Sequence, residues 1–232
     1  MDGNSSPRIF DIVAVAFVSL LLLSNVTATK LIGINVGVTT LVFDGGAILF
    51  PLTYIIGDVL AEVYGFIRAR RVIILGFVFS IAAAIVFWIV GILPPADGYR
   101  NQEAFIAVLG FVPRIVTASV LAYLAGQLLN SWVLVAIKQK WGEQHLWVRL
   151  IGSTLVGEFA DTLLFCTVAF YGVITGAEFF NYLLVGYAYK VLVEILLLPL
   201  TYPTIALVKK IEGVKRIRPE SHEGGGTSEQ HD

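Results

Sequence analysis

The 232-residue chain is 57% hydrophobic and 14% charged, with a mean hydropathy of +0.82 and a net charge of −1, whereas soluble domains are about 45–50% apolar and about 25% charged. That balance excludes a soluble globular domain and makes the chain an integral membrane protein, with the lipid bilayer as its first partner and no nucleic acid expected. The single cysteine, Cys166, cannot form an intrachain disulfide and says nothing about compartment.

In chain order, the first apolar run, Phe10–Ser24, reaches the roughly 20 residues that cross a bilayer only when extended to Ala28. A signal peptide is the competing reading. Met1–Pro7 holds an aspartate and no Lys or Arg, however, and no small-residue cleavage site follows Leu23, so an uncleaved helix is expected. Leu31–Asp44 alternates Val, Ile and Thr around Gly33 and Gly37 and closes on D-G-G, which predicts a short hairpin or extended outer segment. Helices follow over Ile48–Ile67 and Val72–Leu93; the latter has no ionisable group and suits a lipid-facing scaffold. Pro94–Pro113 contains AFIAVLGF, too short to span and expected as an interfacial helix or lid. Ile115–Ile137, Leu150–Tyr171 and Phe179–Val208 complete an all-α polytopic membrane protein of six transmembrane helices, in one domain over residues 1–208. The tail, residues 209–232, is basic and then, from Pro219, polar and glycine-rich with nothing to bury, so disorder is expected there.

Lys and Arg set the orientation. With the N-terminus inside, Arg8, then Arg68, Arg70 and Arg71, then Lys138, Lys140 and Arg149, then Lys209, Lys210, Lys215, Arg216 and Arg218 are cytoplasmic. Only Lys30, Arg100 and Arg114 lie outside, so both termini should be cytoplasmic.

The apolar runs contain groups that do not belong in lipid. Asp58 and Glu62 sit in helix two, Glu158 and Asp161 in helix five, and Lys190 and Glu194 in helix six, each pair three or four residues apart and so on one helical face. Ser119, Tyr123, Gln127 and Asn130 add a polar stripe on helix four. An acid at the centre of a membrane helix costs roughly 2.5–3.5 kcal/mol, so these groups mark a site by default. Five acids against one lysine cannot all stay ionised in low dielectric. Protonation, pairing with Lys190 or with Arg114, or a cationic or donor-rich ligand must relieve the charge. The bland alternative is helix glue, most simply Lys190 with Glu194. Gly57, Gly65, Gly126 and Gly157 read first as close-packing positions, Pro51, Pro199 and Pro203 as kinks or ends, and Tyr99, Trp141 and Trp147 as interface anchors. His145, His222 and His231 lie in a loop and the tail, which disfavours a zinc protease, and no cofactor is expected. G-D-x-x-x-E in helix two and G-E-x-x-D in helix five, with LLSN and LLNS upstream, form a faint echo that would make helices 1–3 and 4–6 two inverted repeats with a site between them.

The run SNVTATK (Ser24–Lys30), the block FPLTYIIGDVLAEVYG (Phe50–Gly65), RIVTAS with GQLLNS in helix four, and STLVGEFADTLLF in helix five together resemble the queuosine-precursor transporter family, once labelled vitamin uptake transporters. The resemblance covers Asn25 to Pro203, loosely in helix six. It implies a multi-pass inner-membrane carrier importing 7-deazaguanines such as 7-cyano- and 7-aminomethyl-7-deazaguanine for tRNA queuosine synthesis. The residues suit such a ligand: a carboxylate accepts N1–H and the 2-amino group side by side. Glu158 or Asp161 would read that edge, Asp58 or Glu62 meet the substituent, and Gln127, Asn130, Asn25 or Lys190 donate to O6. Tyr54, Tyr64, Phe165 or Tyr187 would offer a ring face. With Glu194 and Arg114 these are the candidate site residues, and homodimerisation is left open. Two other classes remain: a substrate-binding subunit that needs a separate energising module, and an intramembrane acid-dependent enzyme. The second is disfavoured because I-I-G-D and F-A-D-T lack the flanking pattern of aspartyl proteases.

Overall fold

The computed structural model describes residues 8–37, 39–141 and 146–213. Expectations resting on the side chains of Lys138, Lys140, Trp141, His145, Trp147 and Arg149, and on residues 214–232, lie outside the described residues. The chain is mostly helical: α1 Phe10–Thr27, α2 Phe50–Tyr64, α3 Phe66–Ile92, α4 Gln102–Leu109, α5 Val112–Trp141, α6 Leu146–Phe170 and α7 Ala177–Ile211. Strands β1 (Leu31–Asn35) and β2 (Thr40–Asp44) pair antiparallel, Leu31 opposite Asp44 and Asn35 opposite Thr40. The all-α expectation is corrected by this hairpin, which the Val/Ile/Thr alternation had signalled. It docks through Val42 N–H, which donates to Asn181 Oδ1 on α7 at 3.1 Å.

Five candidate spans are long and apolar enough to cross a membrane, and α2 is the sixth long apolar helix of the bundle. At 15 residues α2 rises only about 22 Å. The expected helix Ile48–Ile67 starts later and stops earlier. A 3-10 turn, Gly45–Ile48, precedes it, and Gly65, at φ +82°, breaks it from α3. A residue with a Cβ avoids that left-handed backbone. Arg68, Arg70 and Arg71 therefore lie in the first turns of α3 rather than in a loop. Pro199 and Pro203 do not end the last helix either; α7 continues through both to Ile211.

Hydrophobic packing collects at the two ends of the bundle. Near the hairpin, Ile115, Cys166, Phe170 and Tyr182 form one core; at the other end Phe17, Leu60, Tyr64, Val72 and Val208 form a second. α3 faces outward with Leu75, Val78, Phe79, Ile85 and Trp88 exposed, the side suited to lipid. Gly126 and Gly157 let α5 and α6 touch: a Cβ on either would sit 3.0 Å from the other's carbonyl oxygen. Asn25, 4% exposed, ties three helices together by accepting from Ser119 Oγ at 2.9 Å and donating to Ser80 Oγ at 3.2 Å.

Candidate functional site: two cavities joined by ionisable groups

The hairpin-end core leaves a cavity of about 230 Å³. Ser24, Asp44, Ser119, Asp161, Thr162 and Lys190 supply its polar lining, and the rings of Phe43, Phe50, Phe77, Phe165 and Tyr189 its apolar walls. Lys190 on α7 reaches across to α6, donating to Asp161 Oδ2 and standing 3.8 Å from Glu158 Oε2. Its ammonium is also 5.8 Å from the centre of the Phe50 ring. Two carboxylates around one ammonium leave a negative excess, and a partly desolvated ion pair is poor stability but good recognition chemistry. Thr162, 2% exposed, keeps a buried hydroxyl without a hydrogen-bond partner.

Asp44 closes the cavity from the hairpin. Its Oδ1 accepts from Gly46 N–H at 2.9 Å, capping the 3-10 turn, and its Oδ2 accepts from Tyr182 O–H at 2.7 Å. Burial pushes its carboxyl above the ordinary range, and those two hydrogen bonds pull it back only in part. Neighbouring geometry is tight because Gly45 and Gly46 lie on the end of α1; a Cβ on Gly45 would meet Thr27 O at 2.5 Å. Tyr189 stacks on Phe43, ring centres 6.5 Å apart and planes 8° from parallel, and its hydroxyl donates to Ala47 O at 2.9 Å.

A second, larger cleft of about 660 Å³ opens between α2 and α7 at the opposite end, lined by Asp58, Glu62, Thr201, Tyr202, Lys209 and Lys210. Lys209 Nζ donates to Glu62 Oε1 at 3.1 Å. Thr201 is 3% exposed and its buried hydroxyl has no hydrogen-bond partner. Between the cavities, Glu194 lies within electrostatic range of Glu158, Lys190 and Asp58, and Tyr54 within range of Asp58, Glu194 and Glu158. Ionisable groups thus run through the bundle from one cavity to the other.

The expected site residues separate accordingly. Asp161 and Lys190 line the hairpin-end cavity, with Glu158 behind them; Asp58 and Glu62 line the other cleft, so the four acids do not converge on one ligand. Lys190 does not pair with Glu194 as helix glue; Lys before Glu is the weaker order at that spacing, and α6 offers two acids instead. Arg114 is not a counterion to the acids. Its Nε and Nη2 donate to Val168 O at 2.8 Å and Tyr171 O at 2.6 Å, capping the end of α6. Asn25 has its amide committed to the three-helix tie rather than to a ligand. Gln127 is exposed and lines neither cavity, while Asn130 packs on Gly157 with its Oδ1 buried and without a hydrogen-bond partner. Sequence reasoning missed Asp44, Tyr182 and Tyr189. D-G-G reads as a turn, and only the fold carries Tyr182 to it. Among the described residues no group of His, Cys, Asp and Glu could hold a metal ion.

Residues 44–204 match the model of the family described as "Putative vitamin uptake transporter". The chain is 30% identical over 168 residues to a "Probable queuosine precursor transporter" of Bacillus subtilis (strain 168), covering 72% of this chain and 73% of that one. It is 31% identical over 153 residues to the "Queuosine precursor transporter" of Escherichia coli (strain K12), covering 65% and 66%. Against a "Probable queuosine precursor transporter" of Haemophilus influenzae (strain ATCC 51907 / DSM 11121 / KW20 / Rd) it is 32% identical over 126 residues, about half of each chain at 54% and 51%. No solved structure matches the chain.

Proposed function

Because this chain belongs to the queuosine precursor transporter family, we propose that it imports 7-deazaguanines, the 7-cyano or 7-aminomethyl compound, across a cell's inner membrane. Its relatives are transporters by name, so it is not an enzyme. The proposed topology is six crossings as two inverted three-helix repeats, both termini cytoplasmic. In this reading α2 crosses together with the 3-10 turn Gly45–Ile48 that precedes it, which adds to the length that α2 alone lacks.

One observation carries the substrate reading: the juxtaposition of Lys190 and Asp161 in the aromatic-walled cavity. A guanine edge presents an acceptor, O6, followed by two donors, N1–H and the 2-amino group. An ammonium beside a carboxylate presents the complement, one donor followed by two acceptors. In this reading Lys190 donates to O6, Asp161 accepts the two N–H groups, and Glu158 holds Lys190 in place while the ligand shares Asp161. The ring lies against Phe50, Phe165 or Tyr189. Asp44 is the second carboxylate of the same cavity and takes the role of meeting an aminomethyl cation, in place of Asp58 and Glu62, which line the other cleft.

The test is uptake of labelled 7-cyano-7-deazaguanine by cells that lack their own importer. Expression of this chain restores accumulation above the empty-vector level; equal accumulation in both strains refutes the assignment.

A further inference from the structure

Resting on that reading, we propose that the cleft between α2 and α7 is a second binding station for the same ligand, occupied after the hairpin-end cavity and before release. The two cavities offer matched sets of groups. The first has a carboxylate, a lysine, a tyrosine and a threonine in Asp161, Lys190, Tyr189 and Thr162. The second repeats the set with Asp58, Lys209, Tyr202 and Thr201.

The threonines point to a ligand independently of the acids. A threonine inside a helix ordinarily returns its hydroxyl to the carbonyl four residues back. Thr27, Thr53, Thr117, Thr167 and Thr204 do so, at 2.7–3.0 Å. Thr162 and Thr201 do not. Each is buried in the wall of one cavity with its hydroxyl unpartnered. A buried polar group without a partner is costly, and the two threonines that carry this cost stand one in each cavity.

Asp58 is the acceptor of the second station. Glu62 is bound to Lys209 at 3.1 Å, whereas Asp58 has no ion pair among the described residues. Lys209 and Lys210 are the donors available to a ring carbonyl, and the exposed Tyr202 ring provides a face. A donor-rich planar heterocycle therefore meets the same groups at both ends of the polar path, so transfer between them involves no change of binding chemistry. The larger cleft, about 660 Å³ against about 230 Å³, holds it less tightly, in keeping with release.

The experiment is equilibrium dialysis of labelled 7-cyano-7-deazaguanine against the full chain in nanodiscs. The wild type takes up two molecules per chain, one tightly and one weakly. Asp58→Asn and the isosteric Thr201→Val each weaken the second binding event at least tenfold and leave the first unchanged; Asp161→Asn does the reverse. Size-exclusion profiles identical to wild type verify folding, and either variant alone is sufficient. One molecule per wild-type chain, insensitive to both cleft substitutions, overturns the second station while leaving the transport assignment intact. No binding at all overturns the substrate reading itself.

Discussion

Asp161→Asn is the perturbation that bears most directly on how the ligand is read. In the proposed complex the carboxylate accepts two charge-assisted hydrogen bonds, N1–H and the 2-amino N–H. An asparagine accepts one of them without the charge and turns its own NH2 toward the other donor. Losing one of the two charge-assisted hydrogen bonds costs about 1.5–3 kcal/mol, and burying an unsatisfied donor about 1–3 kcal/mol more. The sum, about 2.5–6 kcal/mol, is roughly sixtyfold to roughly twenty-thousandfold in affinity, at about 1.4 kcal/mol per factor of ten. Lys190 retains Glu158 at 3.8 Å, so the cavity keeps a counterion and the variant should fold. The assay is the concentration dependence of labelled uptake, with membrane abundance measured in parallel. An analogue lacking the 2-amino group separates recognition from general damage: it should be penalised strongly in the wild type and much less in the variant, since the group it lacks is the one the introduced amide can no longer satisfy. A variant KM within threefold of wild type at normal abundance, or an analogue penalty equal in both proteins, refutes the role given to Asp161.

Asn25→Leu removes the tie between Ser80 and Ser119 and should destabilise the detergent-solubilised protein by about 1–3 kcal/mol, read as a lower Tm with ligand affinity retained; an unchanged Tm contradicts the role assigned to Asn25. Glu212 sits just beyond α7, where desolvation, which would raise its carboxyl, is outweighed by hydrogen bonds from Ile9 N–H, Tyr64 O–H and Arg8 N–H, leaving it below the ordinary value. A depressed carboxyl contributes stability that is present above its unfolded pKa and lost as pH falls through the folded one. Thermal melts should therefore show Glu212→Gln lowering Tm at neutral pH, with the difference from wild type vanishing at acid pH; a pH-independent difference refutes the ionic account. Finally, Arg70→Cys should react with an impermeant thiol reagent only from the cytoplasm and Arg100→Cys only from outside, against a background silenced by the burial of Cys166; the opposite pattern inverts the topology.

Much of the site was legible because lipid makes any ionisable group conspicuous. Asp58, Glu62, Glu158, Asp161, Lys190 and Glu194 were identifiable from their apolar surroundings alone. Their pairing was not, since spacing along one helix brings Lys190 to Glu194, whereas the packing of α6 on α7 decides for Asp161. The polar stripe on α5 shows a second limit. At 100° per residue, Tyr123 departs by roughly 40° from Ser119 and Gln127 by roughly 80°. The first two therefore line the cavity and Gln127 is exposed. Asp44 was hidden for another reason. In a tight turn an aspartate needs no explanation beyond capping, and its bond to Tyr182 spans 138 residues of chain. The break at Gly65 was equally obscure, because a glycine between two apolar helices looks the same whether the backbone passes through it helically or at φ +82°.

The prolines inside α7 acquire a mechanical meaning from where they fall. Each lacks the N–H that would bond four residues back, so the carbonyls of Ile195 and Pro199 lose their helical donors and the rod is weakest over that stretch. Lys190 and Tyr189 lie on the N-terminal side of this compliant segment, Lys209 and Lys210 on the C-terminal side, with Thr201 and Tyr202 between the two prolines. The part of α7 that carries Lys190 is anchored by the hairpin through Asn181, so bending at the prolines would move the Lys209 end relative to it and change the width of the cleft between α2 and α7 without disturbing the hairpin-end cavity.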